Sequence, residues 1–137
     1  MGMAFELNAR LAAGGFEIGR IGGCRLSLKN NAIFPWFLLI PEVEVEDPHE
    51  LPVEQYHTVM EAQRRVCQFV SAYFKPEKLN TAHIGNQVRQ MHIHIVGRST
   101  GDPAWPGTVW AFEGKKAYTP EEVEEISKAA RGFLGLE

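Results

Sequence analysis

The sequence predicts an α+β fold: an antiparallel sheet of about five strands with one long helix and short terminal helices. Three observations predict it. Residues 16–21, 24–29 and 90–96 alternate polar and apolar side chains with a period of two, the mark of strands with one buried face. A single stretch from about Leu51 to Phe74 repeats apolar residues at helical spacing instead. That helix falls between two sets of strands, and a shorter helical segment stands near each end of the chain.

Taken in order, Asn8 caps a short helix over Ala9–Ala13, which Gly14-Gly15 stops. Phe16–Ile21 is a first strand ending at Gly22-Gly23, and Cys24–Lys29 is a second. Asn30-Asn31 signals a turn. Phe34–Pro41 is almost continuously apolar and of strand length, which suits a central strand buried on both faces. After a polar connection the long helix begins near Pro52, a residue favoured at a first helical position. Its buried stripe is expected to be Val53, Tyr56, Val59, Met60, Val66, Cys67, Val70 and Phe74, with His57 at the surface. Pro76 ends it. Leu79–Ile84 is a further strand, and Gly85-Asn86-Gln87 turns into Gln90–Val96. Ser99–Lys116 has little periodicity and reads as an extended loop. Thr119-Pro120-Glu121-Glu122 combines a capping box with proline at a first helical position, so a last helix runs to about Arg131 and stops at Gly132.

The 137 residues fit one domain, 1–137. A net charge of −3 argues against broad electrostatic binding to nucleic acid or membrane. No apolar run approaches the roughly 20 residues of a membrane span, and the first residues do not resemble a signal peptide. Cys24 and Cys67 have no CxxC partner and read as reduced structural thiols, so a cytoplasmic protein is expected.

Chemistry concentrates on Gln90-Met91-His92-Ile93-His94-Ile95-Val96. Met91, Ile93 and Ile95 point to a core; Gln90, His92 and His94 stand in a row on the other face, roughly 7 Å apart. The bland alternative is a solvated strand face that happens to carry histidine. Three chemistries suit two such imidazoles. Metal binding needs further ligands, and His-x-His alone is weak support for it, so no metal or cofactor is expected. General acid–base work suits a group titrating near neutrality. Nucleophilic attack on phosphorus suits it too, provided donors hold the phosphate oxygens, and Gly85-Asn86-Gln87 and Gln90 lie close by.

The strand resembles the signature of the histidine-triad (HIT) superfamily, His-φ-His-φ-His-φ-φ with φ apolar. The preceding Gly85-Asn86 matches the family's turn, and Gln90 stands where the first histidine is expected. The order of elements from about residue 24 to 98 is similar as well, and Asp102–Trp110 looks like the tail of a bacterial branch of these proteins. The resemblance implies a HIT-like domain that acts on a nucleotide or dinucleoside polyphosphate. By position, His92 is the nucleophile that forms a nucleotidyl-histidine, and His94 lies beside the phosphates and leaving group. Asn86, Gln90, His92 and His94 contact phosphate, and Asn30 or Asn31 falls near the ribose. A homodimer is also implied. Gln90 cannot titrate, which leaves a second reading in which the same pocket binds a nucleotide with little or no turnover. Pro35-Trp36 replaces the family's usual Gly-His, so Trp36 packs in the core or walls a base pocket.

Overall fold

The computed structural model describes residues 4–136. Asn8 accepts from the Arg10 backbone N–H at 2.8 Å and so caps α1 (Ala9–Ala13). β1 (Gly15–Ile21) and β2 (Cys24–Lys29) form a hairpin turned by Gly22 and Gly23, whose φ angles are +56° and +72°. Such two-residue turns need positive φ at both central positions, which glycine adopts without strain. A Cβ at Gly22 would also meet the Ala62 methyl at 3.1 Å. β3 (Trp36–Pro41) leads through a 3-10 turn at Pro48–Glu50 to α2 (Val53–Phe74), followed by β4 (Lys78–His83) and β5 (Ile93–Arg98). A second 3-10 turn, Val109–Ala111, interrupts the long loop before α3 (Pro120–Leu134). The strands form one antiparallel sheet of five in the order β1-β2-β3-β5-β4.

Both faces of the sheet are covered. Leu26, Leu28, Phe37, Leu39, Ile93 and Ile95 pack with Val59, Val66, Phe69 and Val70 of α2 and with Ile126, Ala130 and Leu134 of α3. On the other face Trp36, Leu38, Ile40 and Val96 pack with Leu11, Phe34 and Val109. β3 feeds alternate residues to the two cores, which is why its sequence reads as an unbroken apolar run. Burial pushes the Cys24 thiol up to about 12, with the Glu42 carboxylate adding to it, and burial raises Cys67 as well. Neither is a reactive thiolate at neutral pH. Among the described residues no helix is long and apolar enough to cross a membrane.

Three details differ from the sequence reading. Val53 is 66% exposed and Tyr56 lies at the surface, because the first turn of α2 precedes its contact with the sheet. Ala62 and Phe69 take their place in the stripe, and the small Ala62 lets the Gly22 turn approach closely. α3 passes through Gly132 and ends at Gly135, whose φ of +69° makes the left-handed cap. Burial of Leu134 in the core draws the last turn on past the exposed Gly132. Finally, β5 begins at Ile93, since its ladders with β3 and β4 both start there, and the chain from Gln90 to His92 runs free of the sheet.

Candidate functional site

β5 places His94 directly opposite Leu38 of β3, on the face away from α2. His92 follows the same parity just ahead of the ladder. Both rings are nearly buried, at 6% and 8% exposure, yet both line a cleft of about 380 Å³. That volume is in the range of small-molecule sites. α1 adds Arg10 and Leu11 to the wall, β2 adds Lys29, the 85–88 turn adds Asn86 and Gln87, and the 3-10 turn of the long loop adds Trp110. Arg10 donates to Gln87 Oε1 at 3.0 Å, which ties α1 to that turn.

The two imidazoles are held differently. His92 Nδ1 lies 2.7 Å from the Gln90 carbonyl oxygen. A carbonyl only accepts, so Nδ1 carries the proton and Nε2 keeps a free lone pair. His94 Nδ1 instead accepts from the Trp36 indole N–H at 3.0 Å, so its proton sits on Nε2. The two ring centroids are 5.0 Å apart. Burial pushes His92 below the ordinary histidine range, partly opposed by its bond to the Gln90 carbonyl, with His83 and Lys29 adding repulsion. Burial, then the charges of His92, Lys29 and His83, lowers His94 to about 3. Lys29 is lowered by burial and by Lys115, and its ammonium lies 4.9 Å over the Trp36 ring. The cleft thus offers one unprotonated nitrogen, one N–H donor, two cations and two amides.

Residues 16–101 match the family model of the HIT domain. The chain belongs to the HIT family. Its structure is similar to that of a histidine triad (HIT) protein from Sinorhizobium meliloti, with 31% identity, a TM-score of 0.91, and coverage of 95% of this chain and 97% of that one. A histidine triad protein from Marinobacter aquaeolei gives 33% identity and a TM-score of 0.92 over 97% of this chain and 98% of that one. One from Bradyrhizobium japonicum gives 32% and 0.93 over 96% and 99%. No curated protein matches the sequence.

Of the HIT-motif residues singled out in the sequence, His92, His94 and Asn86 meet in the cleft. Gln90 does not line it. Its Oε1 accepts from the Asn8 N–H at 2.8 Å and its amide donates to the Glu6 carbonyl at 2.9 Å, so it fastens the N-terminal segment to the head of β5. Asn30 and Asn31 also stand outside the lining. Asn30 Oδ1 accepts from the Tyr118 N–H at 2.9 Å, and Asn31 Oδ1 accepts from Ile33 and Lys116, which seats the 116–118 segment beside the β2–β3 turn. Trp36 belongs to the second core and touches the site through His94. Sequence reasoning missed Arg10, Lys29 and Trp110. For Lys29 the signal was present: alternation along β2 puts it on the face opposite Leu26 and Leu28. Arg10 and Trp110 arrive only through tertiary packing. Among the described residues no group of three His, Cys, Asp or Glu side chains is placed to hold a metal ion.

Proposed function

We propose that the protein is a nucleotide hydrolase or transferase acting at the α-phosphate of a nucleotide or dinucleoside polyphosphate through a nucleotidyl-histidine at His92. The observation that carries the reading is the 2.7 Å bond from His92 Nδ1 to the Gln90 carbonyl, which leaves Nε2 as an unprotonated nucleophile at the cleft. His92 Nε2 attacks phosphorus in line. The N–P bond forms as the bond from phosphorus to the bridging oxygen breaks, and the electron pair leaves with that oxygen. Water then attacks the same phosphorus, the pair of the N–P bond returns to Nε2, and a water proton passes to solvent; in a transferase another acceptor replaces the water. The His94 Nε2–H and the Asn86 amide donate to phosphate oxygens, next to the cations of Arg10 and Lys29. The reading assigns the ribose to Asn30 or Asn31 of the β2–β3 turn, next in sequence to Lys29 of the cleft.

A substrate panel against wild type and His92→Ala tests this. Expected is turnover of at least one nucleotide with a mass gain of one nucleotide on the trapped wild-type protein, both abolished in the variant. Gln90 supports the second reading, a binding module: it has no proton to exchange, and its amide is engaged with backbone. Ligand-dependent thermal stabilisation with neither adduct nor product would decide for that reading. The proposal also takes the protein as a homodimer, supported by β4, whose outer edge is unpaired within the sheet. A monomeric mass at micromolar concentration in sedimentation would remove it.

A further inference from the structure

Resting on the nucleotidyl-histidine reading, we infer that Lys29 is a catalytic residue of the cleft. Its ammonium gives a proton to a basic leaving group in the first half of the reaction, and the amine so formed takes one from the attacking water in the second.

The inference follows from the protons available among the described residues that line the cleft. His92 directs its one N–H at the Gln90 carbonyl and needs its free Nε2 for phosphorus. His94 Nδ1 is occupied by the Trp36 indole N–H at 3.0 Å, so giving up its own N–H would leave an imidazolate. Arg10 does not release its proton at physiological pH, and the Asn86 and Gln87 amides do not titrate. None of the other lining residues is a carboxylic acid, a thiol or a phenol. The first triad position offers nothing either, since Gln90 is an amide turned to the N-terminal backbone. Of the described lining residues, Lys29 alone can give a proton and take it back.

Its place in the sheet suits the role. β2 runs beside β3 with Leu28 opposite Phe37, which brings Lys29 alongside Trp36. The ammonium lies 4.9 Å over the Trp36 ring, Trp36 is bonded to His94, and the His94 and His92 centroids are 5.0 Å apart. A four-carbon stem lets the ammonium swing from the ring face to a leaving atom. No described carboxylate forms an ion pair with it. The charged and titratable groups around it are Lys115 from the segment before α3, Arg10 of α1, and His92 and His94 of β5. Burial, then Lys115, accordingly lowers its pKa below the ordinary lysine value, the direction that makes an ammonium a better acid. With an amine as leaving group, the P–N bond breaks as His92 Nε2 attacks. The electron pair goes to nitrogen, which takes the Lys29 proton and departs as a neutral amine. Lys29, now neutral, removes a proton from the water that attacks the nucleotidyl-histidine, and the ammonium is restored. A phosphate leaves as a stable anion and Lys29 stays charged, so there the water's proton passes to solvent.

The deciding experiment uses two probes built on the nucleoside that the substrate panel selects. One is its 5′-phosphoramidate with an aliphatic amine, the other its 5′-(4-nitrophenyl) phosphate, whose leaving group departs as a stable anion. Lys29→Arg keeps the positive charge but releases no proton. It should lower kcat for the phosphoramidate by about 10²-fold or more, the worth of a general acid, and leave formation of the adduct from the nitrophenyl ester nearly unchanged. In wild type, kcat for the phosphoramidate should fall as pH rises through the lowered pKa of Lys29, and adduct formation from the ester should lack that limb. Should Lys29→Arg fail to fold, the two wild-type pH profiles decide. Full phosphoramidate turnover in Lys29→Arg, an equal loss with both probes, or the same alkaline limb with both overturns the inference. So does a wild type that leaves the phosphoramidate intact. In each of these cases a nucleotide adduct that His92→Ala abolishes preserves the reading beneath it. Turnover that survives His92→Ala, or none with either probe, overturns both.

Discussion

His92 and His94 stand two residues apart and carry their protons on opposite nitrogens, because one meets a carbonyl and the other an indole N–H. Both are pushed below the ordinary histidine range chiefly by burial. The sign of the linked stability follows. On acidification the unfolded chain takes up protons at about the ordinary value of 6.5, whereas His94 in the folded protein does so only near 3. Stability is whole above 6.5 and is lost as pH falls through that window, by at most about 1.4 kcal/mol per unit for each imidazole. Urea midpoints taken at about pH 7 and about pH 5 should fall for wild type and fall less for His94→Gln. Equal losses would refute the assignment. Gln90 makes a separate prediction. Gln90→Ala removes two partly exposed hydrogen bonds to the N-terminal segment, which should cost about 1 kcal/mol in chemical denaturation. It should also raise KM, since that segment leads into α1 and Arg10.

Among the elements, the loop after β5 depends on one buried cation. Arg98, 2% exposed, bonds both oxygens of Asp102 at 2.7 and 3.1 Å, the Asn80 side chain at 2.8 Å and the Gly107 carbonyl at 2.9 Å. Its hydrogen bonds hold the Asp102 carboxyl down at about 2, with the Ser99 and Ala104 backbone N–H groups assisting. Arg98→Met takes the guanidinium from the Asp102 carboxylate, the Asn80 side chain and the Gly107 carbonyl, and the cost should be about 3–5 kcal/mol. Because Trp105 lies 5.8 Å from the Arg98 guanidinium, the loss should appear as a change in tryptophan fluorescence well before global unfolding. A variant within 1 kcal/mol of wild type, on the order of a surface pair, would show the loop is held otherwise. None of this was legible in the sequence, where Arg98 to Asp102 has no periodic signal. The regular elements were. Strands β1 and β2 announce themselves by parity and by Gly and Asn turns, β3 by its unbroken apolar run, and α3 by its Thr119 capping box. Boundaries failed where packing outranked local preference, as at Gly132, which the buried Leu134 carries into the helix.

At the scale of the whole molecule, the sheet order brings together residues that the sequence holds far apart. Lys29, His94 and Arg10 share a cleft because β3 lies between β2 and β5 and α1 lies over the same face. The histidines could be read from one strand; their charged neighbours could not, since that needs the strand order. The consequence is a cleft whose charges repel one another until an anion enters: Lys115 disfavours the charge on Lys29, and Lys29 disfavours charge on both imidazoles. Pyrophosphate should therefore stabilise the protein, by about 2.7 kcal/mol when its concentration is a hundredfold above Kd. For a chain of this length that corresponds to a rise in Tm of several degrees. Salt should weaken the effect, because both cations reach solvent through the cleft mouth. Lys29→Met should weaken it at every ionic strength. Arg64→Gln supplies the control: Arg64 sits on the surface of α2, paired with Glu61 at 2.7 Å, and removes one positive charge from the chain without touching the cleft. If Arg64→Gln reduced the pyrophosphate response as much as Lys29→Met, the stabilisation would come from net charge, and the cleft would lose its claim to be an anion site.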